Sequence, residues 1–230
     1  GAHASRVTVM SGSATQIAAQ KVRQKALTVA SAILNIPAEQ LEITDGRAHP
    51  VHQPDGTSVG LDEIARYLHP SSRTSKGYKP GLSAEGRFYS EHMNYPYGVH
   101  VAQVKVDRGT GEVRVEKYLI AYDVGRAVNP KLIEGQLVGG LAQGLGGALY
   151  EQFTYDDSGQ PLSTTFADYL MVTAHEMPEI DVLITEDAPS PLNPMGLKGA
   201  GEGGTNAAGA AVAAAEVDAL GISGFISSLP

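Results

Sequence analysis

Val99 to Asp123 reads VHVAQVKVDRGTGEVRVEKYLIAYD, and this stretch decides the fold class. Val99, Val104 and Val106 stand before the Gly109-Thr110-Gly111 turn, and Val113, Val115, Tyr118 and Ile120 stand after it. β-Branched and aromatic residues on either side of a glycine-flanked turn predict a long antiparallel hairpin. GRAVNP closes the hairpin. Its Asn129-Pro130 pair supplies a cap and a first-turn proline for a helix of about twenty residues through KLIEGQLVGGLAQGLGGALYE.

Upstream, Ser13 to Leu34 is rich in helix formers, with Ile17, Val22, Ala26, Val29 and Ile33 near helical spacing, and Asn35 and Pro37 end it. LEITDGRAHPV predicts a second hairpin about Asp45-Gly46, and Leu61 to Leu68 a shorter helix. The polar, glycine- and proline-punctuated segment 69–86 is the expected boundary. Downstream, EQFTYDDSGQPLSTTF predicts a further strand pair, Asp168 to His175 a helical turn, and IDVLIT a strand. An alanine-rich helix, capped by Thr205 or Asn206, follows a glycine-rich loop. Locally paired strands with helices packed on them place the chain in the α+β class. Two weakly related halves are expected, residues 1–80 and 81–230.

The 230 residues carry a net charge of -8, which argues against the basic face that nucleic acid requires. No apolar run approaches the length of a membrane span. There is no cysteine, so this chain supplies no disulfide, thiolate ligand or iron–sulfur cluster. The opening GAHASRVTVM lacks both an initiator Met and a charged-then-apolar signal segment, so a piece of something longer is expected. The expected compartment is the cytoplasm, with the periplasm as the alternative.

Two features could carry chemistry. In the long helix Gln136, Gly139, Gly140, Gln143, Gly144 and Gly147 share one face. Close packing against another element is the plain reading; a flat polar ligand lying on bare backbone beside two amides is the functional one. Five glycines between 139 and 147 cost helix stability and tip the choice toward a ligand. The second feature is MGLKGAGEGGTNA, 195–207, in which Glu202 stands among glycines ahead of the alanine-rich helix. It reads either as a surface carboxylate near a helix start or as a sheltered carboxylate whose raised pKa suits a general base. The seven histidines (His3, His49, His52, His69, His92, His100, His175) show no metal-ligand spacing. No P-loop, dinucleotide fingerprint or nucleophile elbow is present.

Three stretches, 99–130, 134–180 and 196–220, together with the opening GAHASRVTVMSGSA, resemble the molybdopterin-binding subunit of the xanthine dehydrogenase / aldehyde oxidase / carbon monoxide dehydrogenase family. The GQxxGGxxQGxG helix and the GxKGxGE loop carry the resemblance. It implies that Glu202 is the catalytic base, taking a proton from a molybdenum-bound hydroxyl. It further implies that Gln136, Gly139, Gly140, Gln143 and Gly144 border the pterin and metal, that Ala4, Ser5, Arg6 and Val7 form a loop against the cofactor, and that Lys198 lies near the same cavity. The implied cofactor is molybdopterin, in its plain or cytosine dinucleotide form, with iron–sulfur clusters and FAD on partner chains. The chain resembles the C-terminal part of such a subunit, so the implied partners are a chain carrying its N-terminal half, an iron–sulfur subunit and a flavin subunit. An aldehyde, N-heterocycle or aromatic would be hydroxylated with oxygen from water. A reductive aromatic acyl-CoA dehydroxylase, a non-catalytic assembly module that keeps the fold, and a cofactor-free hydrolase using Glu202 are the alternatives.

Overall fold

The computed structural model describes residues 4–72 and 77–222. Its elements are α1 (Ser13–Leu34), β1 (Leu41–Thr44), β2 (Arg47–Pro50), β3 (Val59–Gly60), α2 (Leu61–Tyr67), β4 (Tyr97–Val106), β5 (Val113–Asp123), α3 (Pro130–Leu149), β6 (Glu179–Thr185) and α4 (Ala208–Leu220). The α+β class holds. The chain divides into two compact units, Gly1–Val9 with Ser90–Pro230, and Met10–Tyr89. The division at Tyr89/Ser90 lies beyond the boundary expected at residue 80, and the first nine residues group with the second unit. Part of the expected boundary loop, residues 73–76, and the opening Gly1-Ala2-His3 lie outside the described residues.

In the unit of Met10–Tyr89, α1 packs on an antiparallel sheet of order β1-β2-β3. Ala26, Val29, Ala30, Leu41, Ile64 and Leu68 are at its centre. α1 ends as the sequence predicts, because Asn35 adopts a left-handed φ of 56° and its N–H returns to Ser31 O. The Asp45-Gly46 turn has positive φ at both positions, 49° and 75°, the geometry that suits a two-residue hairpin. A single π-helical turn over Thr8–Gly12, unforeseen in the sequence, leads into α1.

In the other unit, β4 and β5 form the expected hairpin, and β6 adds parallel to β5. This parallel pairing departs from the all-local pairing expected. α3 and α4 cover one face of the sheet, with Tyr118, Ile120, Leu137, Leu141, Leu145 and Val212 between the layers. A register shift between Gln103 and Val104 offsets the alternation, so that β5 buries Val115 and then Tyr118, Ile120 and Tyr122. On β4 the inward set is His100, Ala102, Val104 and Val106, while Val99 is 62% exposed. Segment 151–166 makes only one bridge, Tyr155 to Pro161, and 168–175 forms turns without a helix. Pro161 has no N–H to extend a ladder there. Among the described residues no helix is long and apolar enough to cross a membrane.

Candidate active site

The Glu202 loop is fastened first to the end of β5. Gly125 turns the chain at φ +68° and bridges Leu197. A Cβ at Gly125 would lie 2.2 Å from Gly196 O, so the approach needs glycine. Lys198 N–H donates to Val124 O at 2.9 Å. The Lys198 ammonium donates to Asp123 Oδ1 at 2.8 Å and stands 4.3 Å from the centre of the Tyr97 ring. Both side chains of this ion pair are buried, 4% and 11% exposed. Burial alone would raise the Asp123 carboxyl, but hydrogen bonds from Lys198, Gly125 N–H and Ala188 N–H outweigh it and hold it at about 2.

The glycines after Lys198 are contact points with the protein itself. A Cβ on Gly199 would fall 1.9 Å from Ser5 O, one on Gly203 2.5 Å from the Tyr122 ring, and one on Gly204 2.0 Å from Leu137 O of α3. Stripped of side chains, the loop lies flat on Ser5, on the end of β5 and on the backbone of α3. Thr205 completes the docking: its hydroxyl donates to Gly140 O at 2.9 Å instead of capping α4, which starts after Ala207 with no side-chain cap.

Glu202 is thereby held at the surface of this chain, exposed, which agrees with the surface-carboxylate reading and departs from the sheltered one. Its carboxylate Oε2 accepts from Ser5 Oγ at 2.7 Å, and its own N–H donates to the same Oγ at 3.1 Å. Oε1 has no hydrogen-bond partner among the described residues. Ser5 reaches this position because Ala4 and Ser5 adopt left-handed φ values of 53° and 49°, a conformation that costs non-glycine residues of order 1–3 kcal/mol each. Tyr122 lies close by; burial first, and then the negative charge of Glu202, push its hydroxyl pKa up, so it stays protonated.

Glu202 and Ser5 open onto a cavity of about 630 Å³, whose wall includes Arg126, Asn129, Gln136 and Lys198. Of the residues singled out in the sequence, Ala4, Ser5, Val7, Gln136, Lys198 and Glu202 meet around this one cavity. Arg6, Gly139, Gly140, Gln143 and Gly144 are not in its wall. The bare face of α3 splits in two. Gly140 and Gly144 are covered by protein, since a Cβ would meet Gly204 Cα at 3.1 Å and Ala208 Cβ at 2.5 Å respectively. A flat ligand has no room at those two positions. Gly139 and Gly147 have nothing within 4 Å of a Cβ, and with Gln136 and Gln143 they form an exposed stripe. Arg126 and Asn129 were passed over in the sequence because GRAVNP reads as a hairpin end and a helix cap; an arginine beside a turn glycine was the available signal.

Gly144→Val and Gly139→Val should therefore part company. The first overpacks α3 against α4 and is expected to cost about 1–3 kcal/mol, read as a lower denaturation midpoint. The second is expected to leave the midpoint within about 0.5 kcal/mol, apart from a small gain in helix propensity.

Residues 1–178 match the family model of the molybdopterin cofactor-binding domain. The chain belongs to this family. The matched region stops short of Lys198 and Glu202, but pairwise similarity to relatives runs further. Over 220 residues, 96% of this chain, the sequence is 43% identical to the gamma subunit of the 6-hydroxypseudooxynicotine dehydrogenase complex of Paenarthrobacter nicotinovorans, of which it covers 28%. Among solved structures, Cu,Mo-CO dehydrogenase in its carbon monoxide reduced state superposes with a TM-score of 0.85 at 30% identity, over 96% of this chain and 27% of that one. Quinoline 2-oxidoreductase from Pseudomonas putida 86 gives 0.84 at 35% identity, over 96% and 28%. The family expected from the GQLVGG helix and the GLKGAGE loop, and the α+β fold expected from the hairpins and helices, are both borne out. The chain spans little more than a quarter of the length of these relatives.

Proposed function

We propose that this chain forms one wall of a molybdenum–pterin oxidoreductase site, with Glu202 as its general base. The observation that carries the reading is the Ser5–Glu202 pair at the mouth of a largely apolar cavity. Ser5 occupies Oε2 and the backbone N–H, so the carboxylate is oriented while Oε1 stays available to take a proton.

The residues present fit such a group. Among the described residues no three His, Asp or Glu side chains gather to hold a metal ion, and the chain has no cysteine. These residues offer a metal ion no ligand set of their own, which suits a metal carried on an organic ligand such as a pterin dithiolene. Arg126 lines the cavity with no ion-pair partner among the described residues, and its guanidinium suits an anionic, phosphate-bearing cofactor such as molybdopterin or its cytosine dinucleotide form. Gln136 offers both a donor and an acceptor to a pterin ring. When bound, the group supplies two-electron oxidation of carbon with oxygen from water. The chain's own part is to hold the cofactor edge with Arg126, Gln136 and the Ala4–Ser5 turn, and to take up a proton at Glu202 Oε1. Lys198 is part of the wall, and its charge is engaged by Asp123.

An aldehyde, N-heterocycle or aromatic substrate fits this chemistry. Further chain must complete the site, since Glu202 is exposed here. Val99, Val101, Leu119 and Leu183, on the sheet face away from α3 and α4, are also 38–62% exposed, which supports a large apolar contact with the remainder of the subunit. Iron–sulfur and flavin partners would carry the electrons away. Metal analysis of the native complex tests the reading: about one molybdenum per copy of this chain, with an extractable pterin, is expected. A purified, intact complex without molybdenum would overturn it.

A further inference from the structure

His100 is the histidine that β4 turns inward, opposite Ile120 of β5. Its Nδ1 lies 2.9 Å from Tyr118 Oη, and its Nε2 lies 2.9 Å from Gly203 O. The Tyr118 ring stands edge-on to the imidazole, 5.5 Å between centres and 88° between planes. A backbone carbonyl can only accept, so Nε2 must carry the proton. Nδ1 of the neutral ring is then an acceptor, and Tyr118 O–H is the donor that fills it. Burial lowers the His100 pKa against the opposing pull of the Gly203 bond, and burial raises that of Tyr118. The neutral imidazole and the protonated phenol required by the pattern are thus both favoured.

What this chain of bonds reaches is the residue after Glu202. Gly203 and Gly204 have no side chains to hold their own backbone, and their other fixings are the turn bond from Gly203 N–H to Ala200 O at 3.2 Å and packing against Tyr122, Leu137 and α3. Ser5 grips Glu202 from one side. From the sheet side, one directed bond reaches the glycine pair, and it comes from His100.

We propose that His100 is a positioning residue for the Glu202 base. Its Nε2–H, locked by Tyr118, fixes the Gly203 carbonyl and with it the peptide geometry that aims the Glu202 carboxylate. This rests on the reading of Glu202 as the proton acceptor. Neither the glycine loop nor histidine spacing pointed to His100, because its partners lie far away in sequence.

The test uses the assembled molybdenum enzyme and two substitutions. His100→Phe keeps the ring and its contact with Tyr118 but donates nothing. His100→Gln places an amide N–H at about the reach of Nε2. In the Phe variant kcat is expected to fall about 10- to 100-fold with KM changed by less than about threefold, as for a slightly misaimed catalytic group. Hydrogen exchange in peptides spanning 199–207 should rise, with molybdenum content unchanged. The Gln variant should recover most of the rate and the exchange protection. A Phe variant with the parent's rate and protection overturns the proposal, and so does a Gln variant as slow as Phe. If the Phe variant fails to assemble, the Gln variant decides alone: near-parental kcat and protection support the proposal, and a loss of either overturns it. Glu202→Gln run beside them separates the two ideas. If that enzyme is slow while His100→Phe is not, the base reading stands and the positioning role falls. If Glu202→Gln is itself fast, both fall.

Discussion

Replacing Glu202 with Gln is expected to slow reduction of the assembled enzyme by its substrate about 10²- to 10⁴-fold, the range that a positioned proton acceptor supplies. The substitution isolates basicity from structure. A glutamine amide oxygen can still accept from Ser5 Oγ, and the Glu202 N–H that donates to that same oxygen is untouched. The turn that follows is also preserved, because Thr205 N–H and Asn206 N–H both return to the residue 202 carbonyl. With an exposed side chain and its neighbours intact, the denaturation midpoint should shift by no more than about 0.5 kcal/mol. The measurement is the single-turnover rate of reduction by substrate, at equal molybdenum content. A rate within a few-fold of the parent would reduce Glu202 to the first residue of a turn. The Ser5 grip and the strained Ala4–Ser5 backbone would then need another purpose.

How far the sequence carried follows from the range of each interaction. The β4–β5 hairpin, the ends of α1 and the Asn129-Pro130 start of α3 were all legible. Their signals lie within a few residues of the structure they cause: a glycine turn, a left-handed Asn35, and an Asn129 side chain accepting from Leu132 N–H at 3.1 Å. The parallel pairing of β6 was not legible, since nothing in IDVLIT names β5 as its partner. Nor was the inward face of β4. Val99 and Val101 are out of phase with Val104 and Val106, so the valines alone do not say which face is buried; β4 alternates without a break and places His100 with Ala102, Val104 and Val106, while the register shift falls on β5 at Glu116. The left-handed Ala4 and Ser5 carry no glycine or asparagine to announce them. In the candidate site the sequence picked out Glu202, Ser5 and Gln136. It could not distinguish glycines that admit a ligand from glycines that admit the protein's own backbone. Gly204 fills the gap beside Gly140, and Gly204 in turn is bare because the backbone of Leu137 and Leu141 lies against it.

The same distinction governs Lys198, for which a buried ion pair and a cofactor contact predict different losses. Asp123→Ala is expected to cost about 3–5 kcal/mol, because it leaves the ammonium buried with only the Tyr97 ring for company. Lys198→Met should cost less. The apolar chain can stay under Tyr97, and Asp123 keeps the N–H donors of Gly125 and Ala188, each at 2.9 Å. The double variant should be more stable than Asp123→Ala alone, since it removes the stranded charge. The sign of the pH dependence is fixed by the depressed carboxyl. With a folded value of about 2 against the ordinary 3.8, the pair's contribution is present in full above about pH 4. It declines as pH falls toward 2, and the acid limb of the stability curve should flatten there in Asp123→Ala. Denaturant midpoints of the assembled protein between pH 2 and 7 would read all of this. The contrary outcome is equally distinct. A Lys198→Met protein with the parental midpoint but little molybdenum would assign the lysine to the cofactor, and its bond to Asp123 would be only the resting place of a charge that the ligand claims.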